Sequence, residues 1–164
     1  MPSPIFQVLQ VRSVLRKGNS LPVIAETTGG TFVVKMRGAA QGILPLVSEL
    51  IVGSLALDLG LLVPEIALVE MPPAVPSDDG NDELRDLLDA SVGVCLGFRH
   101  LAGARDLPLD RVDRLPREFR RSCLFLDLLV ENVDRTLANP NILLWKDQPW
   151  LIDHGSSLSF HYDL

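Results

Sequence analysis

Asp134-Arg135-Thr136-Leu137-Ala138-Asn139, followed by Ile152-Asp153-His154-Gly155, is the stretch on which the reading of this chain turns. An Asp and an Asn stand five positions apart, and an Asp-x-Gly follows the Asn fourteen positions later. Between them, residues 141–145 and 150–153 read as two strands joined by Lys146-Asp147-Gln148-Pro149, a β-hairpin. Phosphoryl transfer needs a carboxylate to orient the attacking hydroxyl, and an amide and a second carboxylate to hold Mg²⁺. Each half has a plain explanation by itself: Asp and Asn-Pro start turns, and Asp with Gly ends a strand. Both halves in this order, joined by a short hairpin, point to a nucleotide-phosphate site.

Upstream of this stretch, Pro116 suits the first turn of a helix. Residues 117–131 then form a strongly apolar helix that delivers the chain into Asn132-Val133-Asp134. Near the N-terminus, residues 5–15 and 21–26 read as strands, and Gly29-Gly30 makes a tight turn suited to a hairpin. Thr31-Phe32-Val33-Val34-Lys35-Met36 follows as a third strand. Its period of two puts Thr31, Val33 and Lys35 on one face and Phe32, Val34 and Met36 on the other. A Lys in such a strand calls for an anionic partner, because burying an unpaired ammonium is costly. Glu49, fourteen positions later on a helix read over 46–59, is the natural one. That pair would aim the ammonium at nucleotide phosphates, with Val33 beside the adenine ring. The alternative is an edge-strand Lys reaching solvent, with Glu49 favouring the helix N-terminus. Gly18-Asn19-Ser20 between the first two strands either covers phosphates with backbone N–H groups or is an ordinary turn.

The helix over 46–59 stops at Gly60, and its Glu49 side carries Val52, Gly53 and Ala56, small enough for close approach to a sheet. Residues 63–71 read as another strand. Pro72-Pro73-Ala74-Val75-Pro76-Ser77-Asp78-Asp79-Gly80 then breaks the pattern and leads into an acidic piece. The expected organisation is 1–71 as a nucleotide-binding sheet and helix, 72–91 as a linker or mobile insertion, and 92–164 as a partial second lobe.

With 164 residues, 47% of them apolar and 22% charged, the chain is large enough for a packed core and too apolar for disorder. A formal charge of −6 argues against direct nucleic-acid binding. The basic trio Arg117, Arg120 and Arg121 reads as a solvated helix face. Cys95 and Cys123 have no metal-ligand spacing and fit a reducing compartment, with Cys123 read as a buried thiol. Neither His100, His154 nor His161 shows metal spacing, and His154 reads as a packing or hydrogen-bonding residue. The start of the chain lacks signal-peptide features. The most apolar stretch, 50–63, is interrupted by Asp58 and shorter than the ~20 residues of a membrane span. No membrane association and a cytoplasmic location are therefore expected.

The order Lys35, Glu49, Asp134, Asn139, Asp153 resembles the protein-kinase-like fold, and the local text resembles HipA-like kinases, a bacterial group distantly related to phosphatidylinositol kinases. Thr31-Phe32-Val33-Val34-Lys35-Met36 is similar to the lysine strand. Glu49 with Leu59-Gly60-Leu61-Leu62-Val63-Pro64-Glu65 is similar to the helix and its exit. Asn132-Val133-Asp134-Arg135-Thr136 with Asn139-Pro140-Asn141 is similar to the catalytic loop, and Trp150-Leu151-Ile152-Asp153-His154-Gly155 to the metal-binding segment. The resemblance implies an α+β, two-lobed fold: an antiparallel N-lobe sheet with one helix, and a short, mainly helical C-lobe with a β-hairpin. It implies that Lys35 binds ATP phosphates, that Glu49 orients it, and that Asp134 is the catalytic base. Asn139 and Asp153 would be the Mg²⁺ ligands. Glu70 and Met71 fall where a strand linking the lobes would meet adenine through its backbone. Thr136 stands where many relatives have His. The chain ends nine residues past Gly155, where related kinases continue with further helices. The implied activity is ATP- and Mg²⁺-dependent phosphoryl transfer to a hydroxyl, with a protein Ser or Thr as the acceptor. The alternative is a non-catalytic module binding nucleotide or a partner. The short C-lobe leaves room for a partner or a second copy.

Overall fold

The computed structural model describes residues 5–15, 21–39 and 42–158. Gly18-Asn19-Ser20, read above as a turn or phosphate cover, lies outside the described residues, as does His161. The element mixture is α+β, and the chain divides into two compact units. The first comprises Met1–Leu46 and Glu65–His100, the second Val47–Pro64 and Leu101–Leu164.

The first unit is a closed barrel of five strands: β1 (Ile5–Val14), β2 (Val23–Thr27), β3 (Gly30–Lys35), β4 (Ile66–Met71) and β5 (Gly93–Arg99), in the order β1-β2-β3-β5-β4. The alternation expected for Thr31–Met36 is realised, with Phe32, Val34 and Met36 fully buried and Thr31, Val33 and Lys35 half-buried. The same period runs through β2 and β4, so Val23, Ala25, Ala67, Val69 and Met71 join Phe32 and Val34 in one core. The β2–β3 turn is Thr28-Gly29, closed by the Thr27 hydroxyl, which donates to the Gly30 carbonyl at 2.8 Å and accepts from the Gly29 N–H at 3.0 Å.

The expected antiparallel sheet is corrected in one respect. Four of the strand pairs are antiparallel, but β1 and β4 run parallel, with Phe6 opposite Val69, and this pairing closes the barrel. Closure leaves no open sheet edge in the barrel. The strand that makes it geometrically possible is β5, inserted between β3 and β4. Gly97 permits that insertion, since a Cβ there would stand 2.8 Å from Val69 Cγ1 and 3.2 Å from Phe32 Cδ1. The stretch expected as a linker or insertion contains α2 (Asp82–Ala90), capped by Asn81, whose side chain accepts from the Glu83 N–H. Leu84 and Leu88 on its apolar stripe, with Val75 before it, belong to the barrel core. The pattern-breaking prolines are thus followed by an amphipathic helix that buries one face.

The second unit holds most of α1 (Leu44–Asp58), a 3₁₀ turn (Leu109–Arg114), α3 (Arg117–Leu129) and a sheet of β6 (Arg105–Asp106), β7 (Ile142–Trp145) and β8 (Gln148–Leu151). Gly60 ends α1 as the sequence suggests: it has φ 74°, and the Leu61 N–H reaches back to the Ala56 carbonyl at 2.9 Å. The hairpin expected from 141–153 is present, but its turn is only Lys146-Asp147, with Trp145 facing Gln148. Both turn residues have positive φ, 50° and 59°, the pairing that matches the right-handed twist of two strands. Gln148 and Pro149 therefore enter β8. Pro149 costs no ladder bond there because β8 is the outer strand of its sheet. The hairpin is anchored where the Leu151 N–H donates to the Leu62 carbonyl at 2.8 Å.

Candidate active site

The chain leaves α3 through Val130 and Glu131, the latter at φ 53°, and turns sharply at Asn132. The buried Asn132 side chain accepts from the N–H groups of Asp134 at 3.1 Å and Arg135 at 3.3 Å. This side-chain turn sets the direction in which Asp134 leaves the helix. Asn139 and Asn141 then converge on it. Asn139 Nδ2 donates to Asp134 Oδ2 at 3.2 Å and to its main-chain carbonyl at 3.3 Å, and Asn141 Nδ2 donates to the same Oδ2 at 2.9 Å. Two amide donors on one carboxylate oxygen hold the group in a single orientation. Thr136 closes the intervening turn: its N–H and carbonyl exchange hydrogen bonds with Asn139, and its Oγ1 accepts from the Asn139 N–H at 3.1 Å. Thr136 thus supports this loop through hydroxyl and backbone.

Asp153 follows β8 with φ 59°, a left-handed conformation in which Asp is among the better-tolerated residues. Its side chain is exposed, as is that of Asn139. The Ile152 N–H donates to the Asn141 carbonyl at 3.0 Å, so the entry to Asp153 is tied to the exit of the Asp134 loop. Beyond it, the Ser157 N–H donates to the His154 carbonyl at 3.1 Å, and the Leu158 N–H to Val130 at 2.7 Å. The candidate carboxylate–amide–carboxylate set therefore lies on two segments that are hydrogen-bonded to each other.

Under these segments sits a buried polar layer. Arg135 Nε donates to Asp127 Oδ1 at 3.0 Å, and its Nη2 lies 3.0 Å from His154 Nδ1. The fully buried His154 donates its backbone N–H to Glu49 Oε2 at 2.9 Å, and Ser48 Oγ donates to the Ser157 carbonyl at 3.0 Å. His154 is thus a buried hydrogen-bonding residue. Burial pushes the Cys123 thiol up to about 12, against the opposing pull of Arg135, and its Sγ lies 3.6 Å from Asp127 Oδ2. Burial likewise raises Cys95. Neither thiol has the lowered pKa of a nucleophile.

The remaining predicted site residues lie in the first unit, apart from Glu49. Lys35 and Val33 share the half-buried face of β3, with Lys35 Nζ 5.8 Å from the centre of the Phe98 ring. Glu49 belongs to the second unit, on α1. Glu70 and Met71 are placed differently from the expected linking strand. They lie in β4, where Glu70 is opposite both Gln7 of β1 and Val94 of β5, and Met71 is buried in the core. The chain passes from the first unit to the second at Leu46–Val47 and again at His100–Leu101, after β5 has returned to the barrel.

The sequence reading gave no separate role to Asn132, Asn141, Arg135 or Asp127. Asn132-x-Asp134 is an Asx-turn pattern that could have been found locally. Asp127 could have been noticed as a carboxylate four positions after Cys123, on the same helix face. Nothing local marks the meeting of Arg135 with His154, nineteen positions on.

For a divalent cation, the test is donor chemistry. No group of three or more His, Cys, Asp or Glu among the described residues is gathered as a metal cluster. Mg²⁺ does not require one: it binds one or two carboxylates and keeps waters and phosphate oxygens as its other ligands. The Asp153 carboxylate and the Asn139 amide are hard oxygen donors of that kind. No helix of the described residues is long and apolar enough to cross a membrane.

Comparison with known proteins gives one assignment. The family model described as HipA-like kinase matches residues 8–164, almost the whole chain. No curated protein matches it significantly.

Proposed function

Because the chain belongs to the HipA-like kinase family, we propose that it is an ATP- and Mg²⁺-dependent kinase that transfers the γ-phosphoryl group to a hydroxyl, with a protein Ser or Thr as acceptor. The observation that carries this reading is the Asp134 carboxylate gripped by Asn139 and Asn141, on a loop tied through Ile152 to the Asp153 segment. Asp134 orients the acceptor hydroxyl and takes its proton. Asn139 and Asp153 are the residues that would hold Mg²⁺, which when bound neutralises charge on the phosphate oxygens. Lys35 binds the ATP phosphates, Glu49 orients its ammonium, and Val33 lies against the adenine. Glu70 and Met71 are left out, since Glu70 is paired along both edges and Met71 is buried in the barrel core. A cytoplasmic location belongs to the same proposal.

The test is thermal. Mg-ATP at millimolar concentration should raise the melting temperature, because a ligand that binds only the native state stabilises it by mass action. Transfer of labelled γ-phosphate to the protein itself or to a Ser/Thr peptide library should follow. No stabilisation by Mg-ATP would sink the reading.

A second reading, a module that binds nucleotide or a partner without turnover, is favoured by one observation. Leu124, Phe125, Leu128 and Leu129 of α3 are all exposed, as are Val133 and Leu137 in the following loop. Such a surface suits association. Stabilisation by Mg-ATP with no phosphate transfer to any acceptor would select this second reading.

A further inference from the structure

We propose that Arg135 is a positioning residue: it locks the Asp134 loop and the Asp153 segment into one rigid piece, with His154 as its buried acceptor. Its consequence for rate rests on the kinase reading above; the locking itself rests on geometry alone.

The guanidinium is almost entirely buried, with 5% of its side-chain surface exposed, and its neighbour Asp127 is 15% exposed. An ion pair with Asp127 would be enough to satisfy a buried charge. Arg135 does more with its donors. Nη1 reaches the carbonyls of Pro140 at 3.0 Å, Asn141 at 2.8 Å and Ile152 at 3.4 Å, and Nη2 reaches His154 Nδ1 at 3.0 Å. A guanidinium can only donate, so Nδ1 is the acceptor, and the imidazole is neutral with its proton on Nε2. The same His154 passes the link to Glu49 through its backbone N–H.

The targets of these bonds make the case for positioning. Asp134 is the residue before Arg135. Asn141, whose carbonyl Arg135 holds, grips Asp134 Oδ2 with its side chain. Ile152 and His154, both held by Arg135, flank Asp153 on either side. One planar fork thus ties the residue after Asp134 to the Asn141 carbonyl and to both neighbours of Asp153, Ile152 through its carbonyl and His154 through its ring. A Lys ammonium keeps the charge but has no rigid fork, so it cannot span these directions together. Displacement of reacting groups by about 1 Å can cost about 10²-fold in rate.

The experiment uses the full chain with Arg135→Lys, His154→Leu and His154→Asn. The Asn variant places an amide oxygen where Nδ1 accepts. Phosphate transfer per folded molecule, Mg-ATP affinity and amide hydrogen exchange are measured for each. Arg135→Lys and His154→Leu should lower transfer about 10²-fold, a larger fall than any weakening of Mg-ATP binding. His154→Asn should recover most of the rate. Exchange should quicken together over 132–141 and 152–157, with the barrel strands still protected. Unchanged transfer per folded molecule, with only a lower melting temperature, would overturn the positioning role. Exchange that quickens in one segment alone would overturn the lock. Should Arg135→Lys fail to fold, the His154 pair, which leaves the Asp127 ion pair intact, carries the test. If wild-type protein shows neither Mg-ATP binding nor transfer, the kinase reading fails by itself, and exchange alone decides the lock.

Discussion

In the barrel, what is buried is Phe32, Val34, Val69 and Met71, on strands paired along both edges; around Asp134, what is buried is Asn132, His154 and the side chain of Arg135. The barrel side chains are interchangeable in kind: any set of suitable volume and period fills the interior, and loss of one costs in proportion to the volume removed. The loop side chains are not interchangeable. Each has a directional bond to a named atom, and a missing partner leaves a polar group stranded. Positive φ outside glycine occurs in both units, at Leu21 and Ala74 in the first and at Glu131, Asn141 and Asp153 around the candidate site. Residues held in such conformations persist only where the surroundings over-determine them, as the polar layer does here.

That contrast can be broken most sharply at Asp134. Asp134→Asn should lower phosphate transfer by about 10²–10⁴-fold, the usual contribution of a positioned acid–base group. It should leave the melting temperature and Mg-ATP affinity near those of the wild type, because an Asn oxygen can still accept from Asn139 and Asn141. Steady-state transfer alongside calorimetric Mg-ATP titration checks it, and full activity in the variant would remove Asp134 from its role. Next in size, Phe32→Ala should destabilise the protein by about 3–5 kcal/mol in urea denaturation, as large buried aromatics do. Phe32 is fully buried, stacks near Phe6 at 5.6 Å between ring centres, and lies under the Arg99 guanidinium at 4.2 Å. A cost below about 1 kcal/mol would mean that the barrel interior can collapse around the gap. The smallest expected effect sharpens the comparison. Asn81→Ala removes the cap of α2 and should cost about 1 kcal/mol, with no change in transfer per folded molecule. It is a directional bond in the barrel unit, remote in sequence from the candidate chemistry. A large activity loss there would show that barrel stability and site function are not separable.

How much of this was legible beforehand depends on the range of the interactions. The alternation of β3 and the stop of α1 at Gly60 are local, and both could be read from neighbouring residues. The same holds for the grouping of Asp134 with Asn139, which are close enough in the chain for one turn to bring them together. The hairpin was legible but its turn was not. Pro149 looked like a turn residue, and only the outer position of β8 makes it a strand residue. Residues 72–91 looked like a linker because prolines open the stretch. The Leu84 and Leu88 stripe inside it is short, and its burial depends on a barrel it does not itself form.

The order of chemistry-bearing residues, the strand periodicity and the family belong to the sequence by itself, because each is written in spacing along one chain. Tertiary structure alone decided that β1 and β4 pair in parallel to close the barrel, and that β5 separates β3 from β4. It alone brought Arg135 to Ile152 and His154, the two neighbours of Asp153. Such contacts join residues far apart in the chain. They arise from the folding of whole segments, and so they leave no period or motif for a linear reading to find.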